Sequence, residues 1–142
     1  MAVPDGFVEV AGLSGFALAN GPWYERERDD VMVRGFRAEA RHANTLGIVH
    51  GGMLAAFLDS AMGMAVWRGL GRRSVSLRLT FDYLLPVRVG DWIEATAEVV
   101  ASDGTLAQAR GRLRGPRHEV LTAAGNFALL KPDRPPRAGQ AR

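Results

Sequence analysis

The 142-residue chain has no cysteine, which removes disulfides, thiolate nucleophiles and cysteine-ligated metals from consideration. Histidine is scarce as well. His42, His50 and His118 are the only three, and none sits at a metal-ligand spacing such as H-E-x-x-H, so no metal is expected. The opening MAVPDGFVEVAGL has no basic region ahead of an apolar core and does not read as a secretory signal. With no cysteine to suggest an oxidising compartment, a cytoplasmic location is expected. One apolar run, Gly51 to Leu70, approaches membrane-spanning length. Its central Asp59 would cost about 2.5–3.5 kcal/mol on insertion, so no membrane span is expected.

Charge of one sign is also missing from the body of the chain. The net charge is +3, and the segment from Lys131 onward holds Lys131, Arg134, Arg137 and Arg142 against Asp133, a balance of the same size. The remainder is close to neutral despite a pI of about 10.2. A nucleic-acid partner is therefore not expected, and the Pro- and Arg-rich 132–142 segment reads as a disordered basic tail.

What remains is an ordinary globular composition, 47% hydrophobic and 23% charged, long enough for one domain with a real core. Residues 1–20 read as a loose arm or short helix, and 21–131 as the folded domain. Trp23–Asp29 and Val31–Ala40 look like strands joined at Asp29-Asp30. The helix GGMLAAFLDSAMGMAVWRGL follows a 41–50 loop and ends in the Gly-rich Arg68–Arg72 stretch. Val75, Leu77, Leu79, Phe81 and Tyr83 then alternate with Ser74, Ser76, Arg78, Thr80 and Asp82, a half-buried strand with its apolar set facing the helix. Strands at about 92–101, 105–115 and 117–130 are separated by Asp103-Gly104 and Gly115-Pro116. The layout is α+β: one long central helix against a curved antiparallel β-sheet. No polar stripe recurs along the helix, so burial on nearly every side is expected, by a curling sheet or by another chain.

Two features of that helix carry chemistry. Asp59 is its only acid, and a carboxylate in apolar surroundings needs a partner or a task. It is a candidate general base or nucleophile, with a purely structural acid as the alternative. At the other end, Asn44-Thr-Leu-Gly-Ile-Val-His50-Gly51-Gly52 leads into the first turn, whose unpaired N–H groups form a donor site for an anion or oxyanion. A plain loop-to-helix junction would also explain the glycine pair. Eight residues separate Gly51 from Asp59, about 12 Å along a helix. Both groups must approach one carbonyl to within roughly 3 Å, which a single helix cannot easily arrange. Either they serve separate purposes, or Gly51 of one subunit faces Asp59 of its partner in a two-fold dimer.

The run Asn44-x-x-Gly47-x-x-His50-Gly51-Gly52, with Asp59 beyond it and Pro86-x-x-x-Gly90-Asp91 after the next strand, resembles the hotdog-fold acyl-CoA thioesterases of the PaaI type. The resemblance spans about residues 20 to 131. It implies hydrolysis of an acyl-CoA thioester at a homodimer interface, often in a homotetramer, with no cofactor. It also implies roles: Gly51 as the backbone donor that polarises the thioester carbonyl, Asp59 as the acid from the opposite subunit, Asn44 as organiser of the loop. His50 would shape the donor end, and Ser76 would orient water, although alternation places Ser76 on the face away from the helix. Gly52, Arg72 and Arg73 are candidate substrate contacts, the arginines for CoA phosphates. A non-catalytic acyl-CoA or lipid-binding module and a hotdog hydratase or dehydratase are the competing functions.

Overall fold

A seven-stranded antiparallel sheet curves around one long helix in the computed structural model of the chain, which describes residues 1–132. The expected basic tail, Pro132 apart, lies outside the described residues. In chain order the elements are β1 (Val8–Glu9), α1 (Gly15–Asn20), β2 (Tyr24–Arg28), β3 (Val31–Arg37), a 3₁₀ turn (Ala40–His42), α2 (Gly51–Leu70), β4 (Ser74–Tyr83), β5 (Trp92–Ser102), β6 (Leu106–Arg114) and β7 (Glu119–Leu129). The strands lie side by side in the order β1-β2-β3-β5-β6-β7-β4. Because β4 pairs only with β7, it forms one edge of the sheet.

The turns follow from local chemistry. Asp29 and Asp30 both adopt positive φ, 51° and 61°, and join β2 to β3 as a two-residue hairpin loop. At the β5–β6 turn Asp103 Oδ1 accepts from the backbone N–H groups of Thr105 (2.9 Å) and Leu106 (2.8 Å). Helix α2 is closed by Gly71 at φ 64°, whose N–H returns to the Trp67 carbonyl at 2.8 Å.

Helix α2 buries Met53, Leu54, Phe57, Leu58, Ala61, Met62 and Val66, a stripe at three- and four-residue spacing. These pack on Phe36, Ile93, Leu113, Leu121 and Phe127 from the sheet. Gly111 on β6 permits the close approach, since a Cβ there would stand 2.8 Å from Leu58 Cδ1. The expectation of burial on nearly every side is corrected here. Gly51, Ala55, Ala56, Asp59, Ser60 and Gly63 are only half-buried, and Gly52 and Trp67 are exposed. Small side chains on that second face leave it open in a single chain.

Residues 1–20 are integrated rather than loose. The β1 strand pairs with β2, Phe7 stacks edge-on to Trp92 at 5.0 Å, and the Arg37 guanidinium donates to the Ala2 carbonyl at 2.6 Å.

The β4 strand departs from simple alternation. Ser76 pairs with Phe127 and Arg78 with Asn126, so Leu77 is an extra residue, a β-bulge. Directly paired residues share a face, and Phe127 is buried under the helix. Before the bulge it is therefore Ser74 and Ser76 that face inward, and after it Leu79, Phe81 and Tyr83. Val75 and Leu77, expected inside, are 51% and 60% exposed.

Candidate active site

The bulge decides the site. It turns Ser76 toward the helix, where its hydroxyl donates to Asp59 Oδ1 at 2.6 Å. Ser76 is thus on the opposite face from the one its sequence alternation indicates, and there it meets Asp59. One carboxylate oxygen is engaged; among the described residues the other has no protein partner. Asp59 itself is half-buried on the open face of α2, next to Ala55, Ala56 and Gly63, so a ligand or second chain can reach it.

The donor end is built by a histidine cap. His50 is the residue before α2, and its Nδ1 accepts the Gly52 N–H at 2.8 Å, which places the ring proton on Nε2. The Met53 and Leu54 N–H groups both turn to the His50 carbonyl, at 2.9 and 3.3 Å. Of the first-turn donors this leaves the Gly51 N–H with no acceptor among the described residues. The open donor is therefore one backbone group at the positive end of a twenty-residue helix. A side chain at Gly52 would press on the cap, its Cβ 2.9 Å from His50 Nδ1.

Asn44 organises the approach. Its Oδ1 accepts the Leu46 N–H at 2.9 Å and the Ile48 N–H at 3.4 Å, folding the loop on itself, while Gly47 takes φ 76° to close the turn. The loop is tied down by His42, which is 3% exposed. Its carbonyl accepts the His50 N–H at 2.7 Å, its Nδ1 accepts the Glu39 N–H at 3.0 Å, and its Nε2 lies 3.2 Å from the Asn20 carbonyl. Burial, reinforced by the neighbouring Arg41 charge, pushes the His42 pKa below its ordinary value. The ring is thus held neutral, with both nitrogens committed to structure.

Two contacts near the site had no sequence signal. Tyr83, inward-facing at the end of β4, donates its hydroxyl to the Gly51 carbonyl at 2.8 Å, and its ring would stand 3.1 Å from a Cβ at position 51. Arg34, 6% exposed, pairs with Glu25 at 2.8 Å and donates to Ser60 Oγ at 2.6 Å, bracing the helix beside Asp59. The first depends on the bulge, and the second on a β3–α2 packing that periodicity does not specify.

Arg72 and Arg73 stand at the far end of α2, about 30 Å along the helix from Gly51. The Arg72 guanidinium is committed to the Leu130 carbonyl at 2.7 Å and the Gly104 carbonyl at 3.4 Å, holding the chain beyond β7 to the β5–β6 turn. Within one chain the structure gathers Asn44, His50, Gly51, Gly52 and Tyr83 at one end of the helix and Asp59 with Ser76 at its middle. It does not bring the two groups together. Among the described residues no cluster of metal-ligating side chains occurs, and no helix is long and apolar enough to cross a membrane.

A long helix in a curved antiparallel sheet, with a glycine donor at its start and an acid at mid-length, defines a hotdog-fold thioesterase. Residues 46–121 match the family model described as the thioesterase superfamily. A Pseudomonas aeruginosa protein named as an esterase is 32% identical over 132 residues, covering 91% of this chain and 98% of its own length. Mouse acyl-coenzyme A thioesterase 13 is 33% identical over 97 residues, 68% of this chain and 69% of that protein. Among solved structures, a variant of the phenylacetic acid degradation protein PaaI from Thermus thermophilus superimposes with a TM-score of 0.72 at 27% identity, covering 81% of this chain and 98% of that one. The chain belongs to the thioesterase superfamily, as a thioester hydrolase of the PaaI type.

Proposed function

We propose that this protein hydrolyses acyl-CoA thioesters to the free acid and CoA, at sites shared between two copies of the chain, with water as the second substrate and no cofactor. The observation that carries the reading is the 2.6 Å Ser76–Asp59 hydrogen bond on the open face of the helix. A carboxylate oriented through one oxygen presents the other to an incoming water. That water loses its proton to Asp59 as its oxygen bonds to the thioester carbon. The carbonyl oxygen gathers negative charge and is met by the partner's Gly51 N–H, the single open donor of the first turn. Collapse breaks the C–S bond, and the proton held by Asp59 passes to the departing thiolate. Asn44 and His50 hold the donor peptide in place for this step.

Support for the acyl-CoA assignment comes from the mouse relative's name, and support for the two-chain site from the roughly 12 Å that separates donor and acid along one helix. The test is thiol release from a panel of acyl-CoAs by the wild type and by Asp59→Ala. Hydrolysis is expected to vanish in the variant while the oligomer persists. Unchanged turnover removes Asp59 from the mechanism, and acyl-CoA binding without thiol release by the wild type replaces the enzyme with a binding module.

A further inference from the structure

Tyr83 joins the end of β4 to the start of α2. Its hydroxyl donates to the Gly51 carbonyl at 2.8 Å, and its ring lies against the Gly51 Cα, where a Cβ would stand 3.1 Å from Cε1 and 3.3 Å from Cζ. The side chain is 54% exposed. A hydrogen bond so open to water adds little net stability, because water would satisfy both partners in its place. What it can add is direction. We propose that Tyr83 is a positioning residue for hydrolysis: by holding the Gly51 carbonyl, it fixes the orientation of the Gly51 N–H that receives the developing oxyanion. This rests on the reading of that N–H as the oxyanion donor and specifies what holds it.

The peptide groups on either side of the Gly51 Cα show what the phenol completes. Ahead of it, the His50 carbonyl receives the Met53 and Leu54 N–H groups at 2.9 and 3.3 Å. Behind it, the Gly52 N–H donates to His50 Nδ1 at 2.8 Å. The Gly51 carbonyl belongs to that second peptide, so Tyr83 and His50 grip its two ends. A glycine is otherwise free to turn about both of its backbone torsions. Here, among the described residues, every polar group of the two peptides is held except the one N–H left open. The phenol itself is firmly seated. Tyr83 pairs with the fully buried Leu121 of β7, and the next residue, Leu84, donates its N–H to the Val120 carbonyl at 2.9 Å. The loop before Gly51 is tied to the chain just past β4, the Val49 N–H donating to the Val87 carbonyl at 2.9 Å. Both ends of the Tyr83–Gly51 bond therefore start from fixed backbone.

Tyr83→Phe keeps the ring and deletes the donor. Expected is a fall in kcat of about three- to ten-fold, the size of one ordinary hydrogen bond, with KM within about two-fold of wild type. A bond that served stability alone would lower the melting temperature and leave kcat per folded molecule unchanged. Nuclear magnetic resonance of the isotope-labelled full chain reads the frame without turnover. In Tyr83→Phe the Gly51 carbonyl-carbon and Gly52 amide resonances should move, while those of Gly63, at mid-helix with nothing within 4 Å of its Cβ position, should not. Gly51→Ala keeps the donor N–H but pushes the ring aside, so Tyr83→Phe should cost little more in that background. A Tyr83→Phe kcat within about two-fold of wild type, unmoved Gly51 and Gly52 resonances, or a full further loss in Gly51→Ala overturns the positioning role. Asp59→Ala separates this inference from the reaction it serves. Full turnover in Asp59→Ala together with the expected Tyr83→Phe loss would sink the acid and keep the positioning. A dead Asp59→Ala beside a Tyr83→Phe that works like wild type would do the reverse.

Discussion

Ser76→Ala removes one oxygen atom from the strand and should remove most of the activity. The hydroxyl it deletes donates to a carboxylate at 2.6 Å, a short bond of the charge-assisted kind. Such bonds contribute about 1.5–3 kcal/mol, and each 1.36 kcal/mol is a factor of ten in rate. If the bond serves to aim Asp59 at water, the loss falls on kcat, by roughly 10- to 150-fold. KM should hardly move, because the role assigned to Ser76 is to aim the acid rather than to bind the acyl group or CoA. Ser76→Thr keeps the hydroxyl and should recover much of the rate. A third variant separates the bulge from ordinary alternation. Deleting Leu77 from a regular strand would turn everything on one side of the cut inside out. Here Ser76 pairs with Phe127 and Arg78 with the adjacent Asn126, so deletion should leave both pairings and the inward Ser76 in place. Thiol-release kinetics on purified variants, with circular dichroism to confirm folding, read all three. Ser76→Ala turnover within two-fold of wild type would refute the role of the hydroxyl. A Leu77 deletion as inactive as Asp59→Ala, though folded, would refute the face assignment.

Other perturbations reach the scaffold. His42 is neutral and buried with its pKa lowered, so the unfolded chain takes up a proton near the ordinary pKa of about 6.5 before the folded one does. Its contribution to stability should be complete above that pH and fall away as pH drops below it, and the slope of Tm between pH 7 and 5 should flatten in His42→Gln. Gly35→Ala places a Cβ 2.3 Å from Trp92 Cζ2, and this overpacking should cost about 1–3 kcal/mol, read as a lower urea midpoint at unchanged m. Arg34→Met leaves Glu25 and Ser60 without their buried partner; with Glu25 a quarter exposed, a loss of roughly 2–4 kcal/mol in the same titration is expected.

What the chain announces about itself is local, and what it hides is relational. The Asp29-Asp30 turn, the αL exit at Gly71 and the Asp103 turn follow from the conformational habits of single residues, so each was legible from a few letters. Helix α2 was legible as well, because a twenty-residue run rich in Ala, Leu and Met and free of proline favours a helix. Its burial was not. An apolar circumference says that a face could be covered, but only the packing shows that Gly51, Ala55, Ala56 and Asp59 are left half-open while Phe57 and Leu58 are sealed. Asn44, His50, Gly51 and Asp59 could be singled out as candidates from the letters alone, yet the cap that engages Gly52 and frees Gly51 is a matter of which His50 nitrogen points where.

The β4 strand is the sharpest instance. Ten letters in strict alternation read as one regular strand, and the reading fails at Leu77 because a bulge conserves composition while exchanging faces. Nothing in an alternating pattern distinguishes the two cases, since Val75 and Leu77 are as apolar as Leu79 and Phe81. The distinction lies in what each face must meet. Ahead of the bulge the inward side meets a carboxylate and needs a hydroxyl; behind it, the inward side meets the glycine start of a helix and needs a flat ring with a donor at its tip. A regular strand can serve only one of these demands with its inward set, because Ser76 and Tyr83 differ in parity. The extra residue reconciles them. It puts the hydroxyl that holds the acid and the ring that holds the donor glycine on one face of one strand, although the two stand at positions 76 and 83.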